Sequence, residues 1–340
     1  MDHPQQLSPW SVFELMLGPT RLAVLDAALD MGMADILTDT HDLSDIATAL
    51  KVKAGTSNLI AFLDAMTALG LATKKNGRYR NTEFAERYMR TTSPTELVGL
   101  VKNLSRMQSR NLDRIPELVR QGPPAVQQQD RLEKEALWKK SVHHLASFHK
   151  AGMAEQVADT VSSLPEFPSM RRMLDIGCGP GIMCMAILKR HPSLTGVLCD
   201  LPAVIEVAKT EIAATDLASR ITTIEGDYNE VDFGSGYDLI WASQTLYYAR
   251  DLTALLARAH DALRPGGLFI SVHEGLTHER TQPAGIILSR LSLALEGQDV
   301  SFEQGEINAK LLEVGFASTE TRAHAMPMAP IDCIIARKRK

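Results

Sequence analysis

The stretch Met173-Leu-Asp-Ile-Gly-Cys-Gly-Pro-Gly181 constrains this chain more than any other. An apolar run ends in an acid, Asp175, and a turn with glycines at Gly177, Gly179 and Gly181 follows. Ile182 to Arg190 then continues as an apolar-rich helix. This is the strand–turn–helix opening of a doubly wound α/β domain, in which ligands bind at the carboxyl ends of the strands. Glycines at such a turn let a ligand approach the backbone, because no Cβ stands in the way.

Two kinds of cofactor compete for a turn of this type. A dinucleotide site prefers G-x-G-x-x-G, with the pyrophosphate on the helix N-terminus. Here position 182 is Ile182, so the third glycine arrives one residue early. Asp175 also directs a negative charge into the cleft, where it repels a pyrophosphate and attracts the sulfonium and ammonium of S-adenosyl-L-methionine. The next two strands agree with the second ligand. Thr195 to Cys199 ends at Asp200, where an acid can accept both ribose hydroxyls. Ile221 to Glu225 leads to Gly226-Asp227-Tyr228, where Asp227 can accept the adenine amino group and Tyr228 can cover the ring.

Asp175-x-Gly-x-Gly, Asp200-Leu-Pro, Gly226-Asp227 and Leu263-Arg-Pro-Gly-Gly267 resemble the class I S-adenosylmethionine-dependent methyltransferases. With its N-terminal half included, the chain is similar to the caffeate/hydroxyindole O-methyltransferase family over nearly all of its 340 residues. The resemblance implies an α/β, Rossmann-like doubly wound catalytic domain over 166–340. It implies an all-helical, winged-helix dimerisation and acceptor-lid domain over 1–165, and a homodimer acting on a small-molecule methyl acceptor. Carried over position by position, it implies a cofactor site of Asp175, Gly177, Gly179, Gly181, Asp200, Leu201, Asp227, Tyr228 and Ser243.

The residues before the turn read mostly as helix. Pro9 to Leu37 forms a helix pair with a stop at Gly32. Leu43 to Leu50 and Ser57 to Leu69 are helices, and Leu71 to Thr82 is a hairpin turning at Asn76-Gly77. This winged-helix order raises a second function class, a DNA-binding regulator. Its recognition helix would be Ser57 to Leu69, which contains no Lys or Arg to meet bases and phosphates. The net charge of −5 also gives no general attraction for polyanions, so no nucleic-acid partner is expected. Ser93 to Arg120 is a helical connection, Gln121 to Gln129 a loop, and a longer helix runs from Arg131 towards Val161 with His143, His144 and His149 on it. The resemblance makes that helix the roof of the acceptor pocket, and the stretch Leu288 to Glu303 a further part of its lining.

The four cysteines lack paired C-x-x-C spacing, so neither a disulfide framework nor a zinc site is expected. No signal peptide or membrane-length apolar run is visible, which makes a cytoplasmic, membrane-free enzyme the expectation.

A hydroxyl acceptor usually needs a base to remove its proton. The resembling O-methyltransferases place a histidine there, in a Leu-His-Asp-Trp motif after the fourth strand of the catalytic domain. The matching stretch here is Ser243-Gln-Thr-Leu-Tyr247-Tyr248. A tyrosine with a pKa of about 10 is a poor base at neutral pH. Three acceptor types remain open. A thioether sulfur has no proton to lose, and its sulfonium product suits the faces of Tyr247 and Tyr248 by cation–π attraction. That chemistry resembles the bacterial methylthiohydroxybutyrate S-methyltransferase branch of dimethylsulfoniopropionate synthesis. An activated carbon is the second, because the similar bacteriochlorophyllide C-methyltransferase also carries Leu-Tyr here. An acidic phenol, ionising unaided or using His144 as base, is the third. Glu274, at the end of the fifth strand, matches a family acid that assists the histidine, so Tyr247, Glu274 and His144 are the candidate catalytic residues. For an acidic acceptor the candidate cations are Arg290, His144 and His149.

Overall fold

The structure is a computed structural model that describes residues 9–124, 135–324 and 330–340. The loop expected at Gln121 to Gln129 and the start of the helix expected from Arg131 fall largely outside the described residues. Two compact units are present, Met1–Arg106 and Met107–Lys340.

In the first unit, an Asp42 capping box starts the helix Leu43–Ala49, and the helix Ser57–Ala68 leads into strands β1 (Ala72–Lys75) and β2 (Arg78–Asn81). Asn76 and Gly77 both take positive φ, 53° and 74°, as a two-residue primed turn between antiparallel strands requires. Leu63, Met66, Ile46 and Tyr79 close the core of this unit. The N-terminal helix, Pro9–Asp30, buries only Ala28 and Leu29 and leaves Trp10, Phe13, Leu15 and Met16 more than half exposed. Gly32 at φ 62° ends that run, and the short helix Met33–Ile36 follows.

The second unit is organised on a seven-stranded sheet in the order β10-β11-β7-β6-β3-β4-β5. Its parallel strands are β3 (Arg172–Ile176), β4 (Thr195–Asp200), β5 (Ile221–Glu225), β6 (Tyr237–Ser243) and β7 (Leu263–His273). Two antiparallel strands, β10 (Ser318–His324) and β11 (Ile331–Arg337), extend it beyond β7. A small separate pair, β8 (Gly275–Leu276) and β9 (Phe302–Glu303), follows β7 in the chain.

Alternate residues of the inner strands enter opposite cores, which is why the strands read as unbroken apolar runs. Met173, Leu198, Leu239 and Ile270 pack with the helices Ala154–Ser162 and Ile182–Lys189. Leu174, Val197, Ile240 and Phe269 pack with Leu252–Ala262 and Glu306–Glu313.

Two features differ from the sequence expectation. The stretch 107–165, expected with the first domain, groups with the second unit, because Val157, Ala158 and Val161 enter the same core as Ile187 and Leu188. The long helix expected towards Val161 is not continuous. It runs Glu135–Phe148, makes one π turn over His149–Met153, and resumes at Ala154, with Gly152 at φ 134° breaking the helical path. Among the described residues, no helix is long and apolar enough to cross a membrane.

Candidate active site

A cavity of about 770 Å3 opens at the carboxyl ends of β3, β4 and β6. The glycine turn forms one wall. Gly177 and Cys178 both donate their N–H groups to the carbonyl of Cys199, at 2.9 and 3.2 Å, which folds the turn back over β4. Gly177 has φ 65°, and a Cβ there would stand 2.2 Å from Thr245 Oγ1, so only glycine fits. Gly179 has nothing within 4 Å of its would-be Cβ, which leaves its backbone open. Gly181 begins the helix Ile182–Lys189 in the left-handed region.

The acids meet across this turn. Asp200 Oδ2 accepts from Gly179 N at 2.9 Å and Oδ1 from Leu201 N at 2.8 Å. Burial nevertheless pushes its pKa up to about 6, more than those two bonds pull it down. Asp175 is buried and its Oδ2 has no hydrogen-bond partner. Burial first, and the nearby Asp200 charge second, hold its carboxyl well above the usual range. Two crowded carboxyls, one with an unmatched oxygen, and an open glycine backbone fit a ligand that brings positive charge and hydroxyl donors. That is the chemistry of S-adenosylmethionine, not of a pyrophosphate.

Asp227 and Tyr228 line the same cavity, as do Leu201 and Ser243. Asp227 is already engaged: Oδ1 accepts from Asn229 N and Nδ2, both at 2.8 Å, and Arg250 donates to Oδ2 at 2.9 Å. Tyr228 is buried and its hydroxyl donates to Thr245 O at 2.9 Å. The cofactor-site positions read from the sequence are thus brought to one cavity, except that Gly181 stands just behind its wall as a helix cap.

The acceptor side is less uniform. A short 3-10 turn, Leu246–Tyr248, carries Tyr247 and Tyr248, which stack edge to face with centroids 4.5 Å apart. Burial raises the Tyr247 hydroxyl well above its ordinary value, and it donates to Gln244 Oε1 at 3.3 Å. Gln244 itself sits at φ 53°, a strained conformation for a residue with a side chain. Behind the turn, His273 is fully buried, and its Nε2 accepts from Thr245 N at 3.1 Å and Leu246 N at 3.0 Å. This fixes the neutral ring with its proton on Nδ1; burial, and then the Arg290 charge, lower its pKa to about 3. His273 therefore holds the turn and is no base.

Glu274 and His144 are not among the residues that line the cavity. Arg290 donates to Glu274 Oε2 at 2.7 Å, with both side chains largely buried, and its guanidinium lies 5.7 Å from the Tyr247 ring centroid. The arginine is further committed to Val300 O and Ser301 Oγ, at 2.8 and 3.1 Å. His144 packs its ring edge-on to His143. Of the three candidate cations, His149 is the one in the cavity wall, beside Phe148 and Met153. Of Leu288 to Glu303, only Glu296 and Gly297 reach the cavity, and Leu288 is 67% exposed.

Sequence reasoning missed Glu296, Arg250 and Gln244. Glu296 is buried, accepting from Asn111 Nδ2 at 3.0 Å with Arg110 at 3.4 Å. Its only sequence signal was an acid at the end of an aliphatic helix.

Comparison with known proteins adds the family. Residues 138–317 match the model of an O-methyltransferase domain, and 13–91 that of an O-methyltransferase dimerisation domain. The chain is 27% identical to a 3-hydroxy-5-methyl-1-naphthoate 3-O-methyltransferase of Streptomyces sahachiroi, over 96% of this chain and 94% of that one. It is 26% identical to the N,N-dimethyltransferase OxyT of Streptomyces rimosus, over 90% of each. The fold is shared with human N-acetylserotonin methyltransferase, solved in complex with S-adenosylmethionine, at a TM-score of 0.80 and 21% identity, covering 99% of this chain and 100% of that one. With the domain match spanning more than half of its length, and acids and glycines arrayed at the strand ends as such a fold requires, the chain belongs to the S-adenosylmethionine-dependent O-methyltransferase family.

Proposed function

We propose that this enzyme methylates the thioether sulfur of a small acid, of the methylthiohydroxybutyrate type used in dimethylsulfoniopropionate synthesis, without a general base. Asp175, Gly177, Gly179, Asp200, Leu201, Asp227, Tyr228 and Ser243 hold the cofactor, with Gly181 setting the helix behind them. S-adenosylmethionine, when bound, supplies an activated methyl group. The exposed apolar face of the N-terminal helix and the dimerisation-domain match support a homodimer.

The observation that carries this reading is Tyr247 in the turn after β6. Its hydroxyl is kept protonated by burial, so it cannot take a proton from an acceptor at neutral pH. It can orient the acceptor, while its ring and that of Tyr248 offer π faces to a sulfonium product. A thioether needs no more than orientation, desolvation and that stabilisation. The relatives include proteins named for O- and N-methylation, so membership of the family leaves the accepting atom open. A cavity of about 770 Å3, shared by nucleoside and acceptor, suits a small acid better than a flat tetrapyrrole.

Phenolic O-methylation is the second reading, favoured by the imidazole of His149 in the cavity wall. The experiment is methyl transfer to a panel of thioether acids, catechols and chlorins, with products identified by mass spectrometry. Transfer to thioether acids supports the proposal; reaction confined to phenols or chlorins overturns it.

A further inference from the structure

We infer that His149 is the polar anchor of the acceptor, its imidazole N–H donating to the acceptor's carboxylate. The inference rests on the reading of this cavity as the site of a thioether acid. His149 opens the π turn His149–Met153, and such turns inside helices recur at functional sites. Its ring lines the cavity beside Phe148 and Met153, with Val142 and Leu145 on the preceding helix. Its Nδ1 is buried without a hydrogen-bond partner, a costly state that a ligand in the cavity can relieve by fixing tautomer and ring orientation.

The charged groups of the wall other than Asp175 are already committed. Asp200 accepts from two backbone amides, Glu296 from Asn111, and Asp227 from Asn229 and Arg250. Arg250 is tied to Glu230 as well, at 2.6 Å, so its charge is met twice over. Among the described lining residues, His149 is the one imidazole, and its Nδ1 joins Asp175 Oδ2 and Trp241 Nε1 as the buried side-chain atoms left without a hydrogen-bond partner. Burial keeps the free ring neutral, with a pKa lowered to about 4. A neutral donor suits this place: it can hold a carboxylate without setting a standing positive charge in a cavity that must also accept a cationic cofactor. The surrounding apolar side chains match the methylene chain that links carboxylate to sulfur.

The test compares methylthiohydroxybutyrate with its carboxamide in wild type, His149→Phe and His149→Gln, by steady-state methyl transfer, and follows S-adenosylmethionine binding by calorimetry. The phenylalanine variant keeps the ring volume without the donor; glutamine restores an N–H. The expected result is a KM for the acid raised about tenfold or more in His149→Phe, as for loss of one hydrogen bond to a charged group. Partial recovery in His149→Gln, little change for the carboxamide and unchanged cofactor binding complete the pattern. An unchanged KM and an unchanged acid-to-amide preference in both variants, with cofactor still bound, overturn the role of His149 and leave the acceptor class standing. A wild type that binds the cofactor but methylates neither compound overturns the acceptor class, and this inference with it.

Discussion

At the β3–β4 end of the cavity the polar groups are the carboxyls of Asp175 and Asp200, whereas the wall beyond them carries the rings of Phe148, Tyr247 and Tyr248, the neutral imidazole of His149, and the buried Glu296 held by Asn111. Asp175 and Asp200 face a glycine turn whose geometry leaves no room for a side chain at Gly177. Tyr247 meets both Tyr248 and His273 edge to face, and the charges of Arg290 and Glu274 beside it pair with each other outside the cavity. The first end is built to attract a cation, and the second offers aromatic faces to one. The proposed transfer of a methyl group from one sulfur to another would use that division.

The largest break in this comparison comes at the join between the two ends. Gly177→Ala forces a Cβ to 2.2 Å from Thr245 Oγ1 at a φ of 65°. Overpacking and left-handed strain together cost about 2–5 kcal/mol. We expect a clear fall in Tm and loss of cofactor binding; a variant with wild-type Tm and affinity would show that the turn and the Thr245 segment are not packed as described.

Next is the pH dependence of the acidic end. Burial raises Asp200 to about 6, so the folded protein holds a proton there that the unfolded chain has released. Stability of the ligand-free protein therefore falls as pH rises from about 4 to about 6, and the cost is fully present above that window. Asp175, raised well above the usual range, extends the same trend upward. A cationic ligand favours the ionised acids, so S-adenosylmethionine affinity should climb as pH rises through about 6. Calorimetry at about pH 5 and about pH 7.5 reads this directly; an affinity that falls with pH would contradict it.

His273→Leu should leave the Thr245 and Leu246 amides unmatched, at a cost of about 1–3 kcal/mol. His273→Asn, which keeps an acceptor, should lose less. Thermal melts and kcat for the pair decide whether the imidazole holds the turn or merely fills space. The smallest effect is expected for Tyr247→Phe, which removes one 3.3 Å bond to Gln244 and keeps the ring. Turnover should stay within about threefold, the worth of one weak neutral hydrogen bond.

The acidic end was largely legible in the sequence, because its chemistry is written in consecutive residues. Glycines and acids at strand ends have fixed spacing, and the apolar runs of β3, β4, β6 and β7 announced their burial. The acceptor side was not, because it is assembled from distant segments. Glu274 has the right position in the chain, yet its carboxylate turns to Arg290, a partner no local pattern indicates. His144 and His149 stand on what reads as one helix, five residues and so about 140° apart around its axis, and the cavity takes His149 alone. Periodicity separates the two histidines but does not say which face meets the cavity; tertiary packing decides that. The edge strand β10 was missed for a related reason: Ser-Thr-Glu-Thr-Arg-Ala-His is too polar to announce a strand, and pairing with β11 alone specifies it.

The most direct test is the pH profile of kcat at saturating cofactor and acceptor, measured from about pH 6.5 to about pH 9. If the acceptor loses no proton and the turn after β6 supplies no base, kcat for a thioether acid stays level across this range. A profile rising through a group near neutrality, and abolished by replacing an imidazole, would mean that a base drives the transfer after all.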